Sequence, residues 1–287
     1  MGHVQTVGLV LHPRRDSAAA IDAILSWAHE RNVTVLGLRE EVDRIHCSAV
    51  AVDPEELVDR SQLLVSLGGD GTMLRTMRLA EGHKTPILGV NLGRLGFLAE
   101  VDVPRLPAAL SAIDEHEYRV ESRLALSTVL PDGTTVTGFN DIDLARIPGE
   151  RMAAVGINVE GHRFVQYAAD AVIVATPTGS TAYSFSAGGP IVSPNVEGLL
   201  VGASSAHSSF NRHLLLSLDE RLELDVLATS GRLAVEVDGA VRGYVTAGDS
   251  LLIKPVTAAA RVVRLGETTF YERARRKLRV NGSVELE

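Results

Sequence analysis

The chain has 287 residues and a single cysteine, Cys47. One thiol closes no internal disulfide, so a reduced, cytoplasmic setting is expected and the fold must be held by its core. Aromatic residues make up only 4%, which leaves aliphatic side chains and alanine to build that core. No apolar run reaches the ~18 residues that a membrane-spanning helix needs. Residues 1–4 lead at once into a strand-like stretch, so neither a membrane partner nor a secretion signal is expected. Positive charge is in deficit: 28 Lys and Arg against 36 Asp and Glu give a net charge of −8. Nucleic acid is therefore not an expected partner, because it needs a basic face to displace its counterions. A local basic pocket for phosphates is still open, with Arg75, Arg78 and Arg94 as its candidates. Familiar signatures are missing as well. There is no G-x-x-x-x-G-K-[ST], no G-x-G-x-x-G after a strand, no H-E-x-x-H and no G-x-S-x-G.

What is present reads as globular, with 45% hydrophobic and 22% charged residues. Apolar stretches at residues 7–11, 34–38, 63–67 and 86–90 predict buried strands. Helical patterns separate them. One is capped by Asp16 or Ser17 and carries Ile21, Ile24, Leu25 and Ala28 on one face; others span residues 54–60 and 106–113. This alternation predicts an α/β domain with a Rossmann-like parallel sheet over residues 1–119. The acidic run 114–117 lacks metal-ligand spacing and reads as a solvated helix end. Beyond it, short alternating segments and the turns Glu160-Gly161 and Asp238-Gly239 predict a β-rich domain over residues 120–266. The basic tail, 267–287, is expected to return to the first domain as a helix.

Two glycine-rich turns carry the chemistry. In the first, the strand 63–67 runs into Gly68, Gly69 and Gly71, with Asp70 among them, and a helix with Met73, Leu74 and Met77 on one face follows. Strand, glycine turn and helix N-terminus make an anion site. An acid beside a phosphate cradle is unfavourable for binding alone. It suits a bridging metal, or a carboxylate that must take a proton. The second turn, Thr176-Pro177-Thr178-Gly179-Ser180-Thr181-Ala182-Tyr183-Ser184, follows the strand 171–175, headed by Asp170, and precedes Gly188-Gly189-Pro190. Its five Ser and Thr hydroxyls either cap the chain or donate to phosphate and ribose. Asn91-Leu92-Gly93-Arg94-Leu95-Gly96-Phe97-Leu98 again pairs glycines with a polar residue, and reads equally as an ordinary loop.

Gly68-Gly69-Asp70-Gly71-Thr72 resembles a signature shared by NAD kinases, diacylglycerol kinases and phosphofructokinases. Residues 91–98, 176–190 and 206–212 each resemble NAD kinase segments, in the family's order, and narrow the resemblance to NAD kinases. That resemblance implies transfer of the γ-phosphoryl of ATP, or of inorganic polyphosphate, to the 2′-hydroxyl of the adenosine ribose of NAD, giving NADP. It implies Asp70 as the catalytic residue, either orienting and deprotonating the hydroxyl or helping to hold Mg²⁺. It implies phosphate contacts from Gly68, Gly69, Gly71, Thr72 and Arg75. NAD contacts are implied from Asp70, Gly71, Asn140, Asp141, Asp170, Thr181, Ala182, Tyr183, Ser186 and Asp238. A homodimer or homotetramer is implied too. The sequence departs from the family pattern at Asp141, usually Glu, at Ala171, usually Gly, and at Ala206 and His213, usually Pro. A non-catalytic pyridine-nucleotide regulator and a lipid or sugar kinase sharing the first turn are the alternatives.

Overall fold

The structure is a computed structural model and describes residues 4–93, 96–266 and 268–280. Apolar runs without polar alternation form strands covered on both faces, and the N-terminal third is built from them. β1 (Thr6–Leu11), β2 (Thr34–Leu38), β3 (Val50–Val52), β4 (Leu63–Gly68) and β5 (Pro86–Asn91) lie parallel in the order 3-2-1-4-5, and β6 (Val101–Asp102) joins β5 in parallel. The connecting helices are α1 (Ala18–Arg31), α2 (Arg39–Ile45), α3 (Pro54–Arg60) and α4 (Asp70–Leu79), and α5 (Leu106–Asp114) follows β6. Val7, Leu9, Leu63, Val65 and Leu67 of the sheet pack with Ile21 and Ile24 of α1 and Leu110 of α5 in one core. Asp114, in the run expected to be a solvated helix end, instead accepts from Trp27 Nε1 at 3.0 Å and from Arg31 Nε at 2.5 Å. It ties α5 to α1.

In this strand order the chain reverses direction across the sheet between β1 and β4. Ligands of open α/β sheets bind at such a switch point, beyond the carboxyl ends of the strands. Gly69 and Asp70 follow β4 there, and residues 12–17 follow β1.

The remaining elements are β7 (Arg119–Val129), β8 (Thr135–Gly138), β9 (Asp141–Arg146), β10 (Ala153–Val159), β11 (His162–Ala169), β12 (Ala171–Ala175), α6 (Tyr183–Ser186), β13 (Leu199–Ser204), β14 (Leu214–Leu216), β15 (Leu222–Val226), β16 (Leu233–Val237), β17 (Ala240–Val245), β18 (Ser250–Arg264) and α7 (Phe270–Leu278). One antiparallel sheet has the order β14-β13-β12-β9-β16-β17; β11, β10, β15 and the start of β18 form another antiparallel array. Side chains of β12 alternate between two cores. Val172 and Val174 join Ile157, Leu224 and Leu251, while Ala171, Ile173 and Ala175 join Val192 and Leu200. Both faces are covered, which is why this strand is apolar at every position. The turns Glu160-Gly161 and Asp238-Gly239 have positive φ at both residues (53° and 76°; 48° and 75°), as two-residue hairpins require.

Contacts divide the chain into two units, Met1–Ser122 with Ala259–Glu287, and Arg123–Ala258. β18 runs from the second into the first, where Arg261 and Val262 pair in parallel with Pro86 and Ile87 of β5. α7 opens with a capping box between Thr269 and Glu272 and is anchored by the buried Arg273, which donates to Ala99 O and to Glu100 Oε2, both at 2.7 Å. Among the described residues no helix is long and apolar enough to cross a membrane.

Candidate active site

The first glycine turn places Asp70 as the first residue of α4, with Gly69 as the N-cap. A Cβ on Gly68 would stand 2.0 Å from Thr72 Oγ1, so glycine is what lets the strand pass over the start of the helix. The Asp70 carboxylate is held by three donors. Leu98 N donates to Oδ1 at 3.0 Å, Phe97 N to Oδ2 at 3.1 Å, and Lys277 Nζ of α7 to Oδ2 at 2.9 Å. Residues 96–98, in the ambiguous segment after β5, thus lie against the carboxylate. A side chain at Gly96 would begin 2.1 Å from Asp70 Oδ1, so only glycine fits. Asn91 shapes the same segment, donating to Gly93 O and to Asp102 and accepting from Gly93 N.

Beside Asp70 opens a cavity of about 770 Å³ lined by Arg15, Gly69, Asp70, Gly96, Arg276, Lys277 and Arg279. Of the residues expected to contact phosphate, Gly69 lines it, next to Asp70, the expected catalytic residue; Gly68 and Gly71 are not among its lining residues. Thr72 is buried under the turn. Arg75 is engaged elsewhere: its guanidinium donates to Leu11 O at 2.7 Å and pairs with the buried Glu41, which itself accepts from Leu11 N. Five residues beyond Asp70, at ~100° per residue, Arg75 points roughly 140° away around the helix. Arg94 lies outside the described residues.

The second unit gathers the other candidates. Asp238 sits at the β16–β17 turn, and its carboxylate accepts from the backbone N–H groups of Phe139 (3.2 Å), Asn140 (2.6 Å) and Asp141 (3.4 Å). It fixes the corner from which Asn140 and Asp141 project. The hydroxyl-rich turn docks on the same corner. Thr176 Oγ1 donates to Phe139 O at 2.6 Å and accepts from Gly179 N at 3.1 Å, and a Cβ on Gly179 would fall 2.0 Å from Asn140 O. Tyr183 N–H donates to the Asp141 carboxylate. Thr181 donates to Thr178 O, Ala182 joins the 3₁₀ turn Thr178–Thr181 to α6, and Ser186 at the end of α6 is exposed. Asp170 pairs with Arg146 at 3.1 Å.

Asp141 is 3% exposed. Burial first, then the charges of Asp238 and Glu236, push its carboxyl up to about 7 against the opposing hydrogen bond from Tyr183. Asp143, two residues on along β9 and opposite Glu236, is 1% exposed, and burial first, then the charges of Asp141 and Glu236, raise its carboxyl well above the ordinary range. Carboxyls so placed hold protons in a range where ordinary aspartates do not.

Family comparison follows the same division. A sequence model described as the ATP-NAD kinase N-terminal domain matches residues 7–118, and one described as the ATP-NAD kinase C-terminal domain matches residues 139–265. The chain belongs to the NAD kinase family. It is 36% identical to NAD kinase 1 of Streptomyces coelicolor, over 96% of this chain and 86% of that one. It is 39% identical to the NAD kinase of Heliobacterium modesticaldum, over 95% and 98%. The crystal structure of yeast NADH kinase complexed with NADH superposes with a TM-score of 0.85 at 25% identity, covering 100% of this chain and 91% of that one.

Three features of this NAD kinase family member's site lie outside its sequence motifs. The amides of Phe97 and Leu98 are invisible to any side-chain motif. Lys277 is 207 residues from its partner Asp70, and no local pattern links them. Asp143 was findable, because a second Asp at i+2 on an apolar strand must share a face with Asp141.

Proposed function

We propose that this protein is an NAD kinase that transfers the γ-phosphoryl group of ATP to the 2′-hydroxyl of the adenosine ribose of NAD, forming NADP and ADP. The single observation that carries the reading is the held carboxylate of Asp70 at a glycine turn on the switch point of a parallel sheet, in a chain of this family. The 2′-oxygen attacks the γ-phosphorus, the bond from that phosphorus to the β,γ-bridging oxygen breaks, and Asp70 orients the hydroxyl and receives its proton. Phosphoryl transfer asks for positioning and charge neutralisation more than covalent chemistry. Gly68, Gly69 and Gly71 let backbone approach the donor's phosphates. In the second unit, Asn140, Asp141, Asp170, Thr181, Ala182, Tyr183, Ser186 and Asp238 are the acceptor-binding residues of this reading, with the ionised Asp141 accepting from ribose hydroxyls.

Mg²⁺ fits this donor set. Among the described residues, Asp70 is the one carboxylate lining the cavity, and no cluster of three ligating side chains exists to hold a metal. An ion carried in on the donor's phosphates needs only such a single carboxylate. When bound it neutralises phosphate charge. The homodimer or homotetramer belongs to the same reading and is checked by sedimentation.

The test is to incubate the protein with NAD, Mg²⁺ and ATP, with polyphosphate in a parallel arm, and to detect NADP with an NADP-specific dehydrogenase. NADP in the ATP arm is expected. Its absence from both arms would overturn the reading.

A further inference from the structure

The cavity beside Asp70 is basic in an acidic protein. Two segments far apart in the chain bring cations to it: Arg15 from just after β1, and Arg276, Lys277 and Arg279 from the last turn of α7 and its C-cap. Asp70 is the one acid among the described residues that line it. Cations in a last helical turn suit the helix dipole and need no ligand to explain them. That accounts for neither Arg15 nor the convergence. Arg15 Nη1 lies 3.8 Å from where a Cβ on Gly69 would stand and 2.8 Å from one on Gly93, so it reaches the glycine turn from beyond the carboxyl end of the neighbouring strand β1. On α7, Lys277 follows Arg273 by one turn and so shares its side of the helix. Arg273 locks that side onto Ala99 and Glu100, which aims Lys277 at Asp70 across the face of Phe97, 4.6 Å from the ring centroid.

Resting on the kinase reading above, we propose that Lys277 is a donor-binding residue and a latch on Asp70: it pairs with Oδ2 until the donor's phosphates, drawn to Arg15, Arg276 and Arg279, take its ammonium over and free that oxygen for the acceptor hydroxyl. The side chains of Lys277 and Asp70 are 36% and 28% exposed, and an ion pair so placed is weak. A lysine's flexible stem and three rotatable donors let it change partners without moving the helix. A triphosphate offers several negative charges in place of one. Asp70 is then released when a donor is present, which couples donor binding to readiness for the acceptor.

The test uses the full chain and inorganic tripolyphosphate, titrated calorimetrically without NAD, beside steady-state kinetics. Lys277→Met should weaken tripolyphosphate binding at least tenfold and raise KM for ATP by a similar factor, with KM for NAD within twofold of wild type. Lys277→Arg should keep most of the binding. Tripolyphosphate binding and KM for ATP unchanged in Lys277→Met overturn the proposal. If that variant fails to fold, Arg276→Met reads the same wall, and unchanged binding there overturns it equally. The two readings fail separately. A wild-type protein that makes no NADP but binds tripolyphosphate through Lys277 loses the kinase reading and keeps the anion site. One that makes NADP with Lys277→Met indistinguishable from wild type loses the latch alone.

Discussion

Asp141→Asn should make the protein more stable and less active, by an amount that depends on pH. A carboxyl whose folded-state value exceeds its unfolded value binds its proton more tightly in the folded state. Between the usual 3.8 and about 7, the folded form therefore holds a proton that the unfolded form has lost. Stability falls as pH rises through that window and is level on either side. At about 1.4 kcal/mol per pH unit, a rise of this size corresponds to on the order of 4 kcal/mol above pH 7. Asparagine keeps the oxygen that accepts from Tyr183 and removes the charge, so it removes that cost. The assay is urea denaturation of wild type and variant from pH 4 to pH 9. The stability difference should be near zero at pH 4, grow through pH 5 and 6, and level off above about pH 7. Over the same range KM for NAD in the wild type should fall as Asp141 ionises, and the variant should lack that dependence. A difference that is flat with pH, or that shrinks as pH rises, would refute the burial-and-repulsion account of this carboxyl.

Gly96→Ala puts a methyl 2.1 Å from Asp70 Oδ1; displacing the carboxylate should lower kcat on the order of 10²-fold, while circular dichroism shows an intact fold. Glu100 is buried between Arg264 (2.8 Å) and Arg273 (2.7 Å). Its own burial would raise its carboxyl, but the two guanidiniums outweigh this and hold it below the ordinary range. Glu100→Ala leaves the buried Arg273 without a carboxylate and Arg264 with Glu121 alone, and should cost about 3–5 kcal/mol by urea denaturation, with Glu100→Gln milder.

The parts of the fold visible in the sequence are those whose cause is local. β12 is an unbroken apolar run because both faces are covered, β1 and β4 are apolar but for Thr6 and the buried Ser66, and Glu160-Gly161 and Asp238-Gly239 announce their hairpins through required backbone geometry. α2 and β3 were not foreseen. α2 is seven mostly charged residues, and β3 is three residues whose first, Val50, is 48% exposed. Neither is long enough to show a period, and β3 exists because β2 offers it an edge. The site divides in the same way. The glycine turn and Asp70 were legible, since strand, glycines and helix start are adjacent in the chain. What holds Asp70 was not, because its donors come from residues 97, 98 and 277. Arg75 is a phosphate contact by the family resemblance, yet the helical turn carries its guanidinium to Glu41. Asp238 stood out as an acid of the site, and its carboxylate turns out to fix the backbone of its neighbours.

The central claim is that Asp70 acts on the transferred group. Its most direct test is the single-turnover rate of NADP formation by Asp70→Asn, with NAD binding confirmed by titration on the same sample. The account predicts binding close to wild type and a rate lower by on the order of 10²–10⁴-fold. A rate equal to wild type in a variant that binds NAD would contradict it.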